Sequence, residues 1–79
     1  MRIDKFLKVS RVIKRRTVAN EACSNGRVIV NDKVVKSSYE VKLDDIVQVK
    51  FGDNVLKFKV VSLVERTKEN KNIEMIQII

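Results

Sequence analysis

Ile3, Phe6 and Leu7 recur at i, i+3 and i+4. That spacing lines one face of a helix, so residues 2–9 (RIDKFLKV) are predicted helical. Asp4 and Lys8 stand at i, i+4 in the favourable acid-to-base order. Residues 10–14 (SRVIK) read as a turn anchored by two buried apolar residues, Val12 and Ile13. In residues 15–24 (RRTVANEACS), Val18, Ala19, Ala22 and Cys23 form a narrow stripe of mostly small apolar side chains, which predicts a second, closely packed helix. Asn25-Gly26 ends it, because glycine tolerates the left-handed conformation that follows a helix.

After Gly26 the apolar period drops to two. Residues 27–31 and 33–36 read as strands around a tight Asn31-Asp32 turn. A polar loop spans 37–45, with the adjacent acids Asp44 and Asp45 read as part of a turn, and a third strand follows at 46–51. Beyond the turn at Gly52, Asp53 and Asn54, residues 55–64 alternate, with Leu56, Phe58 and Val60 on one side and Lys57 and Lys59 between them. A charged loop at 65–72 leads to a last strand at 73–79. The expected fold class is α+β: an N-terminal helix-turn-helix pair packed on a small twisted antiparallel β-sheet.

At 79 residues the chain has room for one domain, 1–79. Its 44% apolar content is that of a folded globule. Cys23 is the sole cysteine and histidine is lacking, so no internal disulfide and no four-ligand Cys/His zinc site can form; this fits a reducing cytoplasm. No signal-peptide run opens the chain, and no apolar stretch approaches the roughly 20 residues of a membrane span. A catalytic reading has no nucleophile–base pair, no glycine-rich phosphate loop and no ligand cluster to rest on, so a non-enzymatic protein without cofactor or metal is expected.

Charge changes the picture most. Residues 1–36 carry ten basic side chains against three acids, a net of +7 that equals the net charge of the whole chain, while residues 37–79 carry seven of each. Such segregation is the footprint of a polyanion partner. Its densest part runs from Arg11 to Arg16, with Lys14, Arg15 and Arg16 consecutive. Positive charge at the start of the second helix opposes the helix dipole at a cost on the order of 0.3–1 kcal/mol per charge. A docked phosphate reverses that penalty, because free N–H groups, dipole and guanidinium forks all then favour the anion. The blander alternative is a solvated basic turn, with Arg15 paired to Glu21. Arg2, Lys5, Lys8, Arg11, Lys14, Arg15 and Arg16 are the candidate RNA-binding residues.

Four aromatics, Phe6, Tyr39, Phe51 and Phe58, are too few for a single-strand stacking platform, and Phe6 and Phe58 sit in core stripes. Recognition of folded RNA through its backbone is favoured. A DNA-reading helix-turn-helix or a protein-interaction module is the alternative, but after Arg16 the second helix offers only Asn20 and Glu21 as long polar side chains, and Asn20 reads as solvent-facing. Cys23 lies on the apolar stripe and reads as buried structure.

Arg2-Ile3-Asp4-Lys5-Phe6-Leu7, Arg15-Arg16-Thr17-Val18-Ala19 running to Gly26, Val28-Ile29-Val30-Asn31 and Asp45-Ile46-Val47 together resemble the S-four-type RNA-binding domain, with a core motif over about 1–51 and added C-terminal strands over about 55–79. The run RIDKFLKVSRVIKRRTVANEACSNGRV is similar to the RqcP family of small bacterial ribosome-associated quality-control proteins. The related heat-shock-protein-fifteen family shares the domain but usually carries a longer basic C-terminal extension. Asp32 departs from the usual glycine after Asn31, and Leu43-Asp44 from the usual Pro-Gly before Asp45. The resemblance implies a monomer in the cytoplasm that binds the large ribosomal subunit, contacting ribosomal RNA and peptidyl-tRNA after a stalled ribosome splits, and that supports alanine tailing with the partner RqcH. A role in ribosome recycling, heat shock or assembly is the neighbouring alternative. Arg2 and Arg16 would lead the ribosomal-RNA contacts. Replacing Arg16 by Glu is expected to abolish ribosome association and leave the fold intact.

Overall fold

The computed structural model describes residues 1–64 and 74–79. Helix α1 spans Ile3–Val9 and α2 spans Arg16–Ser24. Strands β1 (Val28–Val30), β2 (Lys33–Val34), β3 (Ile46–Phe51), β4 (Asn54–Val60) and β5 (Ile76–Ile78) follow. They form one sheet in the order β2-β1-β3-β4-β5, every pair antiparallel. The expected α+β architecture, a helix pair on a small antiparallel sheet, is what is observed.

Local chemistry sets the corners. The β1–β2 hairpin closes through Val30↔Lys33, and its two loop residues, Asn31 (φ 50°) and Asp32 (φ 68°), are both left-handed. That is the requirement of a type I′ turn, whose twist matches the strands. Asp32 therefore holds the conformation a glycine would, and Asp44 (φ 71°) does the same ahead of β3. Short acidic side chains tolerate this region better than most. In α2, the Arg27 N–H donates to Ala22 O (2.9 Å) and the Gly26 N–H to Cys23 O (3.1 Å), with Gly26 at φ 70°. These two bonds are the glycine-ended helix stop expected at Asn25-Gly26.

The helices cover one face of the sheet. Val28, Val30, Val47, Val49, Phe58 and Val60 are buried there against Ile3, Phe6, Leu7, Ala19 and Cys23. Phe6 of α1 stacks on Phe58 of β4, ring centroids 6.4 Å apart. Met75, ahead of β5, is also fully buried.

Several expectations need correction. Val18 is 46% exposed, so the core stripe of α2 is only Ala19 and Cys23, with Ala22 at its edge. Small residues draw the helix in so closely that the larger flanking valine is left at the rim. Ile13 is buried, but Val12 is only partly so. Strand β4 ends at Val60, not near residue 64. Its partner β3 begins at Ile46, opposite Lys59, so later residues have no β3 neighbour; Val61 and Ser62 N–H bond instead to Met75 O. The charged loop read at 65–72, and the start of the last strand at 73, lie outside the described residues.

A candidate RNA interface built on a buried aspartate

The turn between the helices is closed by an arginine in an unusual conformation. Arg11 follows the last turn of α1 with φ 67°, its N–H donating to Lys8 O (3.1 Å), while the Ile13 N–H reaches Leu7 O (3.0 Å). This is the slot glycine usually fills after a helix. A long side chain there carries a backbone penalty of about 1–2 kcal/mol and is held out in solvent. Strain of this kind collects where function requires a particular side chain.

Asp4, read along the chain as a partner for Lys8, has another role. It is buried, and its carboxylate gathers groups from both helices. Oδ2 accepts from Arg2 Nη2 (3.2 Å) and Asn20 Nδ2 (3.4 Å). Oδ1 accepts from the Lys5 N–H (2.8 Å) and lies 3.5 Å from Arg16 Nη2. Burial by itself would raise the Asp4 pKa. The Asn20 and Lys5 hydrogen bonds and the charges of Arg16 and Arg2 outweigh it, so the carboxyl sits below its ordinary value of 3.8.

Arg2 and Arg16 are thereby fixed side by side, each with about half of its side chain exposed (48% and 49%). Arg2 is also held through its backbone, in a bridge with Glu40, and the neighbouring Ile3 N–H donates to Tyr39 O (2.8 Å). Lys8, Arg11, Lys14 and Arg15 are exposed, and among the described residues none of these four is in an ion pair. The alternative pairing of Arg15 with Glu21 is therefore not formed. Lys5 is partly buried on α1. Helix α2 begins at Arg16 with Arg15 as its N-cap, has no side-chain cap bond and has no acid in its first turn. The first turn of α2 therefore offers no acid of its own to the helix's positive end.

Sequence reasoning missed Asp4 and Asn20 as organisers of this face. A carboxylate four residues before Lys8 reads as half of a helix-surface pair, and only the approach of α2 reveals Asn20 and Arg16 as its partners. It likewise read Asp45 as part of a turn. Asp45 is buried and accepts from Tyr39 Oη (2.8 Å), Asn31 Nδ2 (3.0 Å) and the Lys42 N–H (3.0 Å). Burial, then the bond to Asp45 and its charge, push the Tyr39 phenol above its ordinary value. This cluster pins the 37–45 loop that in turn supports Arg2.

The aromatics do not form a row for stacking bases: Phe6 and Phe58 are fully buried, Tyr39 is engaged with Asp45, and Phe51 alone is exposed, beside Ile13 and Val18. Burial, helped by the Asp4 charge, pushes the Cys23 thiol up to about 11, which keeps it protonated at neutral pH. Among the described residues no group of three or more His, Cys, Asp or Glu could hold a metal ion. What the face offers is fixed guanidinium forks among free cations, the arrangement that grips phosphates.

The S4 domain family matches residues 1–47. Over all 79 residues the chain is 47% identical to the RQC P-site tRNA stabilizing factor of Streptococcus pneumoniae, covering 90% of that protein. The chain belongs to this S4-domain family. The Bacillus subtilis protein of the same name is 43% identical over 79 residues, with 92% of it covered. Heat Shock Protein 15 of Vibrio cholerae superposes with a TM-score of 0.86 at 20% identity, over 100% of this chain and 81% of that one. At that identity the likeness is one of fold. In this S4-domain protein the matched segment contains both helices and every residue of the Arg2–Asp4–Arg16 cluster.

Proposed function

We propose that this protein is a non-catalytic RNA-binding factor of ribosome-associated quality control. In this reading it is a cytoplasmic monomer that docks on the ribosomal RNA of a large subunit still carrying peptidyl-tRNA, steadies that tRNA, and supports alanine tailing alongside RqcH. Arg2 and Arg16 make the leading phosphate contacts, and Lys5, Lys8, Arg11, Lys14 and Arg15 surround them. The observation that carries the reading is the pair of half-exposed guanidiniums held on one buried carboxylate, beside exposed Lys8, Arg11, Lys14 and Arg15, which among the described residues are in no ion pair. The relatives' shared name supports its placement at a P-site tRNA.

The test is sedimentation of the tagged protein through a gradient. It is expected to follow large subunits that retain peptidyl-tRNA and to leave them when Lys14→Glu/Arg15→Glu is introduced. Those two side chains are exposed and unpaired, so the fold is preserved. Arg16→Glu is a poorer choice than the sequence suggests, because it would set a second carboxylate against Asp4. Equal sedimentation with subunits lacking tRNA would overturn the tRNA-stabilising reading. Co-sedimentation of the double variant at the wild-type level would overturn the assignment of this face.

A further inference from the structure

We propose that the helix-free face of the sheet is a second RNA-binding surface, which takes the phosphate backbone of an RNA helix other than the one held by the helix pair. The register places it. Val28, Val30, Val47, Val49, Phe58 and Val60 point towards the helices, so the alternate residues of the same strands point away. On β3 and β4 those include Lys50, Lys57 and Lys59, with Gln48 between them. Arg27 joins this face: it stands opposite Lys50, one step beyond Val28↔Val49, and its carbonyl accepts the Lys50 N–H at 2.9 Å.

The result is a basic row. Arg27 and Lys50 are directly opposite, about 5 Å apart at Cβ, and Lys57 is the diagonal neighbour of Lys50 at roughly 7–8 Å. Lys59 lies about 6.6 Å further along β4, at two residues of strand rise. Like charges on cross-strand pairs weaken a sheet, and stability alone would place an acid opposite Lys50. One acid meets the row: Asp44 Oδ1 is 3.4 Å from Lys59 Nζ, an exposed pair. Among the described residues Arg27, Lys50 and Lys57 are in no ion pair. As at the start of α2, charge is placed against the interest of the fold, and a bound polyanion would reverse the penalty.

The chemistry selects the RNA backbone. Directly opposite the lysines stand Val55 (to Lys50), Gln48 (to Lys57), and Ile46 and Gln77 (to Lys59), so short apolar and amide side chains alternate with the cations; the aromatic near the row is Phe51, beside Arg27 and Lys50 at its end. That suits phosphate and 2′-hydroxyl contact and gives no platform for unpaired bases. A gently twisted strand surface also fits the wide, shallow minor groove of an A-form helix better than a pocket would. The overall charge count conceals this row, because residues 37–79 carry as many acids as bases, whereas these lysines share one face. With the helix pair on the opposite side of the sheet, one small domain can join two RNA helices.

The experiment uses two short RNA hairpins, one carrying a donor and one an acceptor fluorophore. Wild-type protein should bring them together, giving energy transfer that rises and then falls as protein exceeds RNA. Lys50→Glu/Lys57→Glu should lose that transfer while still binding a single hairpin. Its log–log salt slope should become shallower by about 1.4–1.8, at 0.7–0.9 for each lost phosphate contact. Lys50→Gln/Lys57→Gln should weaken transfer in the same direction, and is the variant read if charge reversal disturbs the circular dichroism spectrum. Transfer that persists in both variants, or that wild-type protein never produces, overturns the proposal. So does competition by polyglutamate as strong as that by unlabelled RNA, which would assign the row to an acidic protein. Lys14→Glu/Arg15→Glu tests the helix-pair face separately: loss of single-hairpin binding there, with no effect of the Lys50 and Lys57 changes, would sink this proposal and leave the proposed function standing.

Discussion

Replacing Asp4 by Asn keeps the shape of the side chain and removes the charge that holds the N-terminal face together. Two ion pairs are lost, to Arg2 and to Arg16. Because both guanidiniums are half in solvent, each pair contributes only about 0.2–1 kcal/mol. The Lys5 N–H and the Asn20 amide also lose a charged acceptor, and an amide in its place turns its own donors towards some of the existing ones. Hydrogen bonds to charged groups are worth about 1.5–3 kcal/mol against about 0.5–1.5 for neutral ones, so the total loss is about 2 kcal/mol. For a domain this small that lowers Tm by roughly 8–16 °C. Thermal unfolding followed by circular dichroism at pH 7 measures it. The acid limb adds a second check. The folded-state pKa of Asp4 lies below 3.8, so its contribution is complete above that value and is lost as pH falls through the lower, folded one. The gap between wild type and Asp4→Asn should therefore close in acid. RNA binding supplies a third readout with opposite signs for the two explanations. The substitution raises net charge from +7 to +8, which by charge alone would tighten binding; loss of the clamp on Arg2 and Arg16 should weaken it. A Tm within about 2 °C of wild type, well under the shift expected of 1 kcal/mol, would refute the clamp. So would tighter RNA binding.

Arg11→Gly should relieve the backbone penalty at φ 67° and stabilise the fold by about 0.5–1 kcal/mol, raising Tm by a few degrees while weakening RNA binding. A lower Tm would contradict the assigned strain. Tyr39→Phe removes one donor from the buried Asp45 carboxylate and should cost about 1–3 kcal/mol in a denaturant titration. Because the folded protein holds the Tyr39 phenol above 10, wild type should also lose stability as pH rises past that value, and the variant should lose less. Cys23, buried with its thiol at about 11, should resist maleimide at pH 8 until the protein is unfolded; rapid labelling of the native state would place it elsewhere.

Much of this protein is legible along the chain. Apolar spacing located both helices, because a helix or strand must bury one face and only particular periods do so. Asn31-Asp32 announced its hairpin and Asn25-Gly26 its helix stop, since few residues accept positive φ. The basic N-terminal half and the Arg11–Arg16 cluster are properties of residue order alone, and they already point to a polyanion.

Tertiary structure decided which charges meet. Asp4 and Arg16 are twelve positions apart, and Asp45 and Asn31 fourteen; no local period couples them. Only the packing of α1 against α2 turns Asp4 from a helix-surface acid into the buried anchor of two arginines. Only strand register brings Arg27 beside Lys50 and Lys57. Local pattern is set by backbone sterics and the burial of apolar surface, which act over a few residues. Electrostatic partnership depends on distance in space, and that distance exists only once the chain has folded.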